Sequence, residues 1–300
     1  MRHAIELGAV TKIYRGDVRA LDEVTLTVEA GEHCCLLGPN GAGKTTVIRL
    51  LQGALAPSAG TITILGAAAS GRDLLAAKLQ VGVVPQSPGL YPDLTVEEYL
   101  SFVASLYGRG QPGRTAEDYG LGEYLKRPCA TLSGGYQRRL LVAAAVMTEP
   151  ELLLFDEPTV GLDPLAASQT RSLLRAAMRN RTVLMSTHNL LEAEELCDTV
   201  IIMQRGSVLV HERIEDLRRQ SAPRVCLRAR QDSQCLGKSL DTLQLPWAER
   251  DGSVWLQLDK PQSQAPAVLR RLLSDGIDVY ECRIVQPSLE DVFVDLVTQS

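Results

Sequence analysis

The residues best suited to chemistry form four clusters. Gly38-Pro-Asn-Gly-Ala-Gly-Lys-Thr45 follows an apolar run and precedes a helical one. Glycines at those positions let backbone N–H groups curl around phosphate oxygens, because no Cβ intrudes. Lys44 can reach terminal phosphates, the Thr45 hydroxyl can hold a divalent cation, and Thr46 can support the innermost phosphate. Asp156 and Glu157 end the apolar run "LLLF". Adjacent carboxylates at a strand end can divide two tasks: Asp156 holds a hydrated cation and Glu157 takes a proton from water. Gln86 and His188 also end strand-like runs, where they could touch a cation, a water or a phosphate; a solvated loop glutamine and a structural histidine are the plain alternatives. Leu132-Ser-Gly-Gly135 opens a second helix-like run whose free N–H groups suit an anion. One nucleotide needs one phosphate cradle, and this chain has two.

These clusters require a parallel sheet whose strand ends converge. Val24, Leu26 and Val28 alternate with polar residues as a half-buried strand does. "HCCLL" is an apolar strand, and a helix runs from near Gly43 to Gly53. "GTITIL", "VGVVPQ", "ELLLF" and "TVLMS" read as strands, and "TVIIMQRGSVLV" as a hairpin turning at Arg205-Gly206. Between them, "LTVEEYLSFVASLYG" has Thr95 and Glu98 at capping-box spacing, and Asp163-Pro164 starts a further helix. Residues about 90–148 form a helical insert. After "RRQSAP", residues 218–223, a different segment begins: strand-like "RVCLRAR", "SVWLQLD" and "IDVYECRIV", with helix-like "APAVLRRLLSDG" and "SLEDVFVDLV". The organisation expected is an α/β domain over 1–220 and a small α+β domain over 221–300.

Composition narrows the class. The chain has 300 residues, 45% of them hydrophobic, and a net charge of −5, which disfavours a protein that coats nucleic acid. Seven scattered cysteines without a Cys-x-x-Cys pair imply buried thiols in a reducing compartment, not a disulfide framework or a zinc site. No apolar run is long enough to span a bilayer, and no signal peptide is seen. Any membrane role would need a separate spanning partner.

Taken in order, Gly38–Thr46, Gln86, Leu132–Gly135, Leu152–Glu157, Gly161–Asp163 and His188 resemble the Walker A, Q-loop, signature, Walker B, D-loop and switch motifs of the nucleotide-binding subunits of ATP-binding cassette (ABC) transporters. The resemblance covers about residues 4–215. It implies a P-loop NTPase fold with a helical subdomain, ATP and Mg²⁺ as ligands, and ATPase activity. It implies Glu157, His188, Gln86 and Lys44 as catalytic groups. Nucleotide contacts are expected from Tyr14 stacked on adenine, from Gly38, Pro39, Asn40, Gly41, Ala42, Gly43, Lys44, Thr45 and Thr46, and from Ser133, Gly134 and Gly135. Mg²⁺ is expected at Thr45, Gln86 and Asp156. The resemblance also explains the second cradle: two cassettes pair head to tail, and the signature of one meets the γ-phosphate held by the other. One departure is Tyr136, where the commonest signature has glutamine, which puts a side-chain contact with ribose at that position in doubt. The resemblance is nearest to bacterial stand-alone exporter cassettes for drugs, antibiotics, lipids or polysaccharides, and it implies a subunit peripheral on the cytoplasmic side of the membrane and paired with a separate permease. A soluble ABC ATPase acting on nucleic acid or ribosomes is the alternative. It is disfavoured by the single cassette, the acidic charge, and the lack of zinc motifs or a long coiled coil.

Overall fold

A computed structural model describes residues 2–68, 73–220, 223–250, 252–258, 260–285 and 288–293. The chain divides into two compact units, 1–213 and 214–300. The division precedes the helix Ile214–Gln220, which sequence reading had assigned to the first domain.

In the first unit, β1 (His3–Tyr14), β2 (Val18–Glu29), β3 (His33–Leu37), α1 (Lys44–Leu51), β4 (Ala59–Ile64), β5 (Ala67–Ala68), α2 (Leu74–Lys78) and β6 (Val81–Val84) come first. The helical insert follows as α3 (Val96–Tyr107), α4 (Pro112–Asp118), two 3₁₀ turns, and α5 (Gly134–Met147). Then come β7 (Leu152–Asp156), α6 (Pro164–Met178), β8 (Thr182–Thr187), α7 (Leu190–Leu196), β9 (Thr199–Gln204) and β10 (Ser207–Arg213). Two sheets result: an antiparallel one ordered β2-β1-β4-β5, and a six-stranded one ordered β10-β9-β3-β8-β7-β6, parallel except for β10.

The main core unites Ile5, Leu7, Leu26 and Val28 of the antiparallel sheet with Val47, Ile48 and Leu51 of α1 and Leu36, Leu154 and Leu184 of the parallel sheet. Strand β3 is covered on both faces, so its apolar run is unbroken. Cys34 and Cys35 lie there, fully buried, and burial pushes the Cys34 thiol well above its ordinary range. Of the seven cysteines five are buried, which bears out the reading of packed thiols. The insert begins on the expected capping box, with Thr95 accepting from the Glu98 amide and Glu98 accepting from the Thr95 amide.

The second unit starts with α8 (Ile214–Gln220). It continues as β11 (Arg224–Ala229), α9 (Ser233–Thr242), β12 (Trp247–Arg250), β13 (Ser253–Gln257), α10 (Pro261–Ser274) and β14 (Val279–Val285). Its antiparallel sheet is ordered β12-β13-β11-β14. One face packs on α9 and α10 through Val225, Leu227, Leu236, Leu240, Leu256 and Leu272. The expected helix "SLEDVFVDLV" is helical at 289–293, with Leu289 and Val292 buried; its remainder lies outside the described residues. Among the described residues, no helix is long and apolar enough to cross a membrane.

Candidate nucleotide site

The glycine loop joins the C-terminal end of β3 to α1. Gly41 and Gly43 have φ of 82° and 106°, a region that side chains rarely adopt. At Gly38 the need is space: an added Cβ would lie 2.3 Å from the Met203 carbonyl oxygen. Lys44, 4% exposed, donates to the carbonyls of Gly38 at 2.7 Å and Pro39 at 3.2 Å. Its ammonium also lies 3.4 Å from Glu157 Oε1. The loop's own carbonyls hold this buried ammonium at the mouth of the glycine turn, where phosphate oxygens would meet it. The cradle and the cation fit a nucleotide polyphosphate.

The strand-end carboxylates stand beside it. The Thr45 hydroxyl donates to Asp156 Oδ1 at 3.1 Å, and the Ser186 hydroxyl donates to the same oxygen at 2.6 Å. A hydroxyl and a carboxylate in contact are hard oxygen donors of the kind Mg²⁺ takes, so the residues fit that ion. Glu157 is 6% exposed and sits in the left-handed region at φ 44°. Its amide donates to the Ser186 carbonyl at 3.0 Å and to Ser186 Oγ at 3.1 Å. Its carboxylate pairs with Lys44 on one oxygen and with His188 Nδ1, at 2.9 Å, on the other. A strained residue fixed by this many contacts is typical of a site where position matters more than local energy. Lys44, Thr45, Asp156, Glu157 and His188 are thus brought together as sequence reading expected.

Tyr14 ends β1 with its hydroxyl 3.3 Å from Thr46 Oγ1, at the start of α1, and the Lys12 ammonium lies 5.5 Å from the ring centroid. The ring therefore borders the phosphate loop. Gln86 is exposed, and what fixes it is its backbone: buried Arg138 donates to the carbonyls of Pro85 at 2.5 Å and Gln86 at 2.8 Å. The side chain of Gln86 is not joined to Thr45 or Asp156 by any described contact.

Ser133, Gly134 and Gly135 open α5, and with Tyr136, Gly161 and Asp163 they line a groove of about 330 Å³. No residue of the Gly38–Thr46 loop lines it. The second cradle is a separate place from the first. Asp163 caps α6 through its carboxylate at the Leu165 and Ala166 amides, as expected from the sequence.

Three residues that hold this arrangement in place are not singled out by the sequence reading. Ser186 bridges Asp156 and Glu157, and its signal is a hydroxyl directly after the apolar run Val183–Met185. Arg138 ties α5 to the Gln86 loop, and burial pulls its pKa down while the Glu192 and Asp156 charges push the other way. Glu192, 1% exposed, accepts from the Thr187 hydroxyl at 2.5 Å just after His188. Burial raises its pKa and the Thr187 bond opposes the rise. Neither Arg138 nor Glu192 could be told from surface charges of their helices by sequence.

Comparison with known proteins agrees with this geometry. The ABC transporter family model matches residues 21–160, and a model described as the C-terminal domain of DrrA1-3-like ATP-binding proteins matches 213–297. The ABC transporter ATP-binding protein YxlF of Bacillus subtilis is 32% identical over 98% of this chain and 99% of its own length. The chain is an ATP-binding subunit of the ABC transporter family. The Nod factor export ATP-binding protein I of Rhizobium meliloti is 39% identical over 70% of this ABC subunit, and the match spans 64% of that relative's length. Among solved structures, the ATP-binding subunit of an ABC transporter superposes with a TM-score of 0.64 at 32% identity, covering 72% of this chain and 92% of that one. The cassette MJ0796, solved as a dimer in a post-hydrolysis state with ADP and Pi, gives 0.63 at 26% identity over 70% and 98%. As an ABC ATPase the chain binds adenine nucleotide.

Proposed function

We propose that this subunit drives export through a separate membrane permease by hydrolysing ATP between two head-to-tail cassettes. The supporting observation is the groove at Ser133–Gly135, which is built without any residue of the chain's own phosphate loop. A second chain's γ-phosphate is the anion it suits, and the dimeric state of the related MJ0796 cassette agrees. Export is favoured by the Nod factor export relatives.

In this reading, Lys44 pairs with the triphosphate in place of Glu157. Thr45 and Asp156 would hold Mg²⁺, with Gln86 completing the set as its loop closes; the ion would offset the phosphate charge. Glu157, freed, takes a proton from the attacking water, and His188 keeps its carboxylate aimed. Tyr14 receives the base. The Gln86 loop and the insert's exposed Tyr91, Phe102 and Leu106, the first two packed edge to face at 5.4 Å, would receive a cytoplasmic helix of the permease. The subunit would then lie peripherally on the cytoplasmic face.

Glu157→Gln should keep ATP binding, slow hydrolysis by roughly 10²–10⁴-fold, and trap an ATP-dependent dimer at about micromolar protein. Adding Ser133→Arg should abolish that dimer while ATP still binds each chain. An ATP-dependent dimer persisting in the double variant would sink the composite site.

A further inference from the structure

Strand β14 is the edge of the second unit's sheet: β11 lies on one side, and among the described residues no strand lies on the other. Its register assigns its two faces. Ile284 stands opposite Val225 and Cys282 opposite Leu227, on the face packed by helices; Arg283 stands opposite Cys226 and Glu281 opposite Arg228, on the other. Along this edge Val279 and Cys282 pack against the core, while Tyr280 is 62% and Ile284 41% exposed. An edge strand of this length with apolar exposure is a template for another strand.

The sequence says which strand. β14 reads Val279-Tyr280-Glu281-Cys282-Arg283-Ile284-Val285, and it is self-complementary about Cys282. Laid antiparallel on a second copy centred there, Glu281 faces the second copy's Arg283; β14 slips register against β11 between Glu281 and Val279, with Tyr280 as the extra residue, so the regular pairing is confined to Glu281–Val285. The pairing that this register supports is of opposite charges, made twice about the central Cys282. Within one chain Glu281 already pairs with Arg283 at 2.6 Å and with Arg228 at 3.5 Å. The charges are therefore in place on the surface, and pairing extends that network. The opposite edge, β12, has four residues and no such symmetry.

We propose that β14 is a self-association edge, in which two copies of this chain pair antiparallel about Cys282 and join two four-stranded sheets into one of eight. This rests on the reading that the subunit works as a pair. It adds a contact that needs no nucleotide. One strand pair buries little area, so the association is weak, in the micromolar range of dissociation constants.

The test is sedimentation velocity of the full chain without nucleotide, over protein concentrations of about 10⁻⁶ to 10⁻⁴ M. A reversible dimer should appear at the upper end. Arg283→Glu makes two Glu–Glu contacts at the pairing, and Glu281→Lys makes two Lys–Arg contacts; each alone should weaken the dimer about tenfold or more. Mixed in equal amounts, the two variants restore opposite charges at both positions, and a dimer of one of each should return. This recovery also guards against misfolding, which mixing would not repair. A parent that stays monomeric throughout, variants that associate like the parent, or a mixture no better than its parts would each overturn the proposal. Because no nucleotide is present, these outcomes are independent of the ATP-dependent pairing, which the Glu157→Gln experiment tests by itself.

Discussion

Replacing Lys44 by Met should destabilise the nucleotide-free protein as well as remove its ATP binding. Lys44 Nζ and Glu157 Oε1 are 3.4 Å apart, with side chains 4% and 7% exposed. At an effective dielectric constant of about 20, two unit charges at that distance interact by about 5 kcal/mol. His188 shares the Glu157 carboxylate and is 51% exposed, so water at the site mouth screens part of this. A coupling of about 2–4 kcal/mol is the expected remainder. Lys44→Met leaves a buried carboxylate without its cation, and two loop carbonyls without their donor. Glu157→Gln removes the charge that needs the cation. The double variant should therefore be more stable than the sum of the single losses predicts. Urea unfolding of the four proteins without nucleotide, followed at the first unit, measures the cycle. Additivity within about 0.5 kcal/mol would refute the claim that these groups hold each other in the resting site. In the same set, Lys44→Met should lose most ATP binding and Glu157→Gln should keep it.

Arg138→Met should loosen the Gln86 loop, because two carbonyls lose a charged donor; hydrogen exchange at the Gln86 and Ser87 amides should accelerate while the α5 core stays protected, and ATPase activity should fall about tenfold or more. Unchanged exchange would remove Arg138 from that role. Burial pushes the Tyr99 hydroxyl up to about 12, above its ordinary value near 10. The neutral form is thus favoured on folding, so this contribution is intact below pH about 10 and is lost as pH rises towards about 12. Tyr99→Phe should flatten the loss of stability in that window, and an unchanged slope would refute it. A chain ending at Arg213 should fold and bind ATP, since every residue proposed to contact phosphate lies in the first unit; a folded fragment that fails to bind nucleotide in a titration would contradict this.

Much of the site was legible because it is local. A glycine loop between a strand and a helix carries its own geometry: the conformations of Gly41 and Gly43, the reach of Lys44 and the Thr45 hydroxyl follow from neighbouring residues. The Asp156–Glu157 strand end, the Thr95 capping box and the Asp163 cap are local in the same sense. Strand β1 was not legible. Left-handed Ala9 and breaks in its register with β2 interrupt the alternation that marks a strand. The pairing of Lys44 with Glu157, the Ser186 bridge and the grip of Arg138 on the Gln86 loop join residues 29 to 113 positions apart. No periodicity encodes such contacts, because each depends on which strands become neighbours. The extreme case is β14, whose Glu281-Cys282-Arg283 order was present in the sequence throughout. Only the sheet order gave it meaning, because a self-complementary strand can pair with a copy only where the fold leaves its backbone edge unpaired.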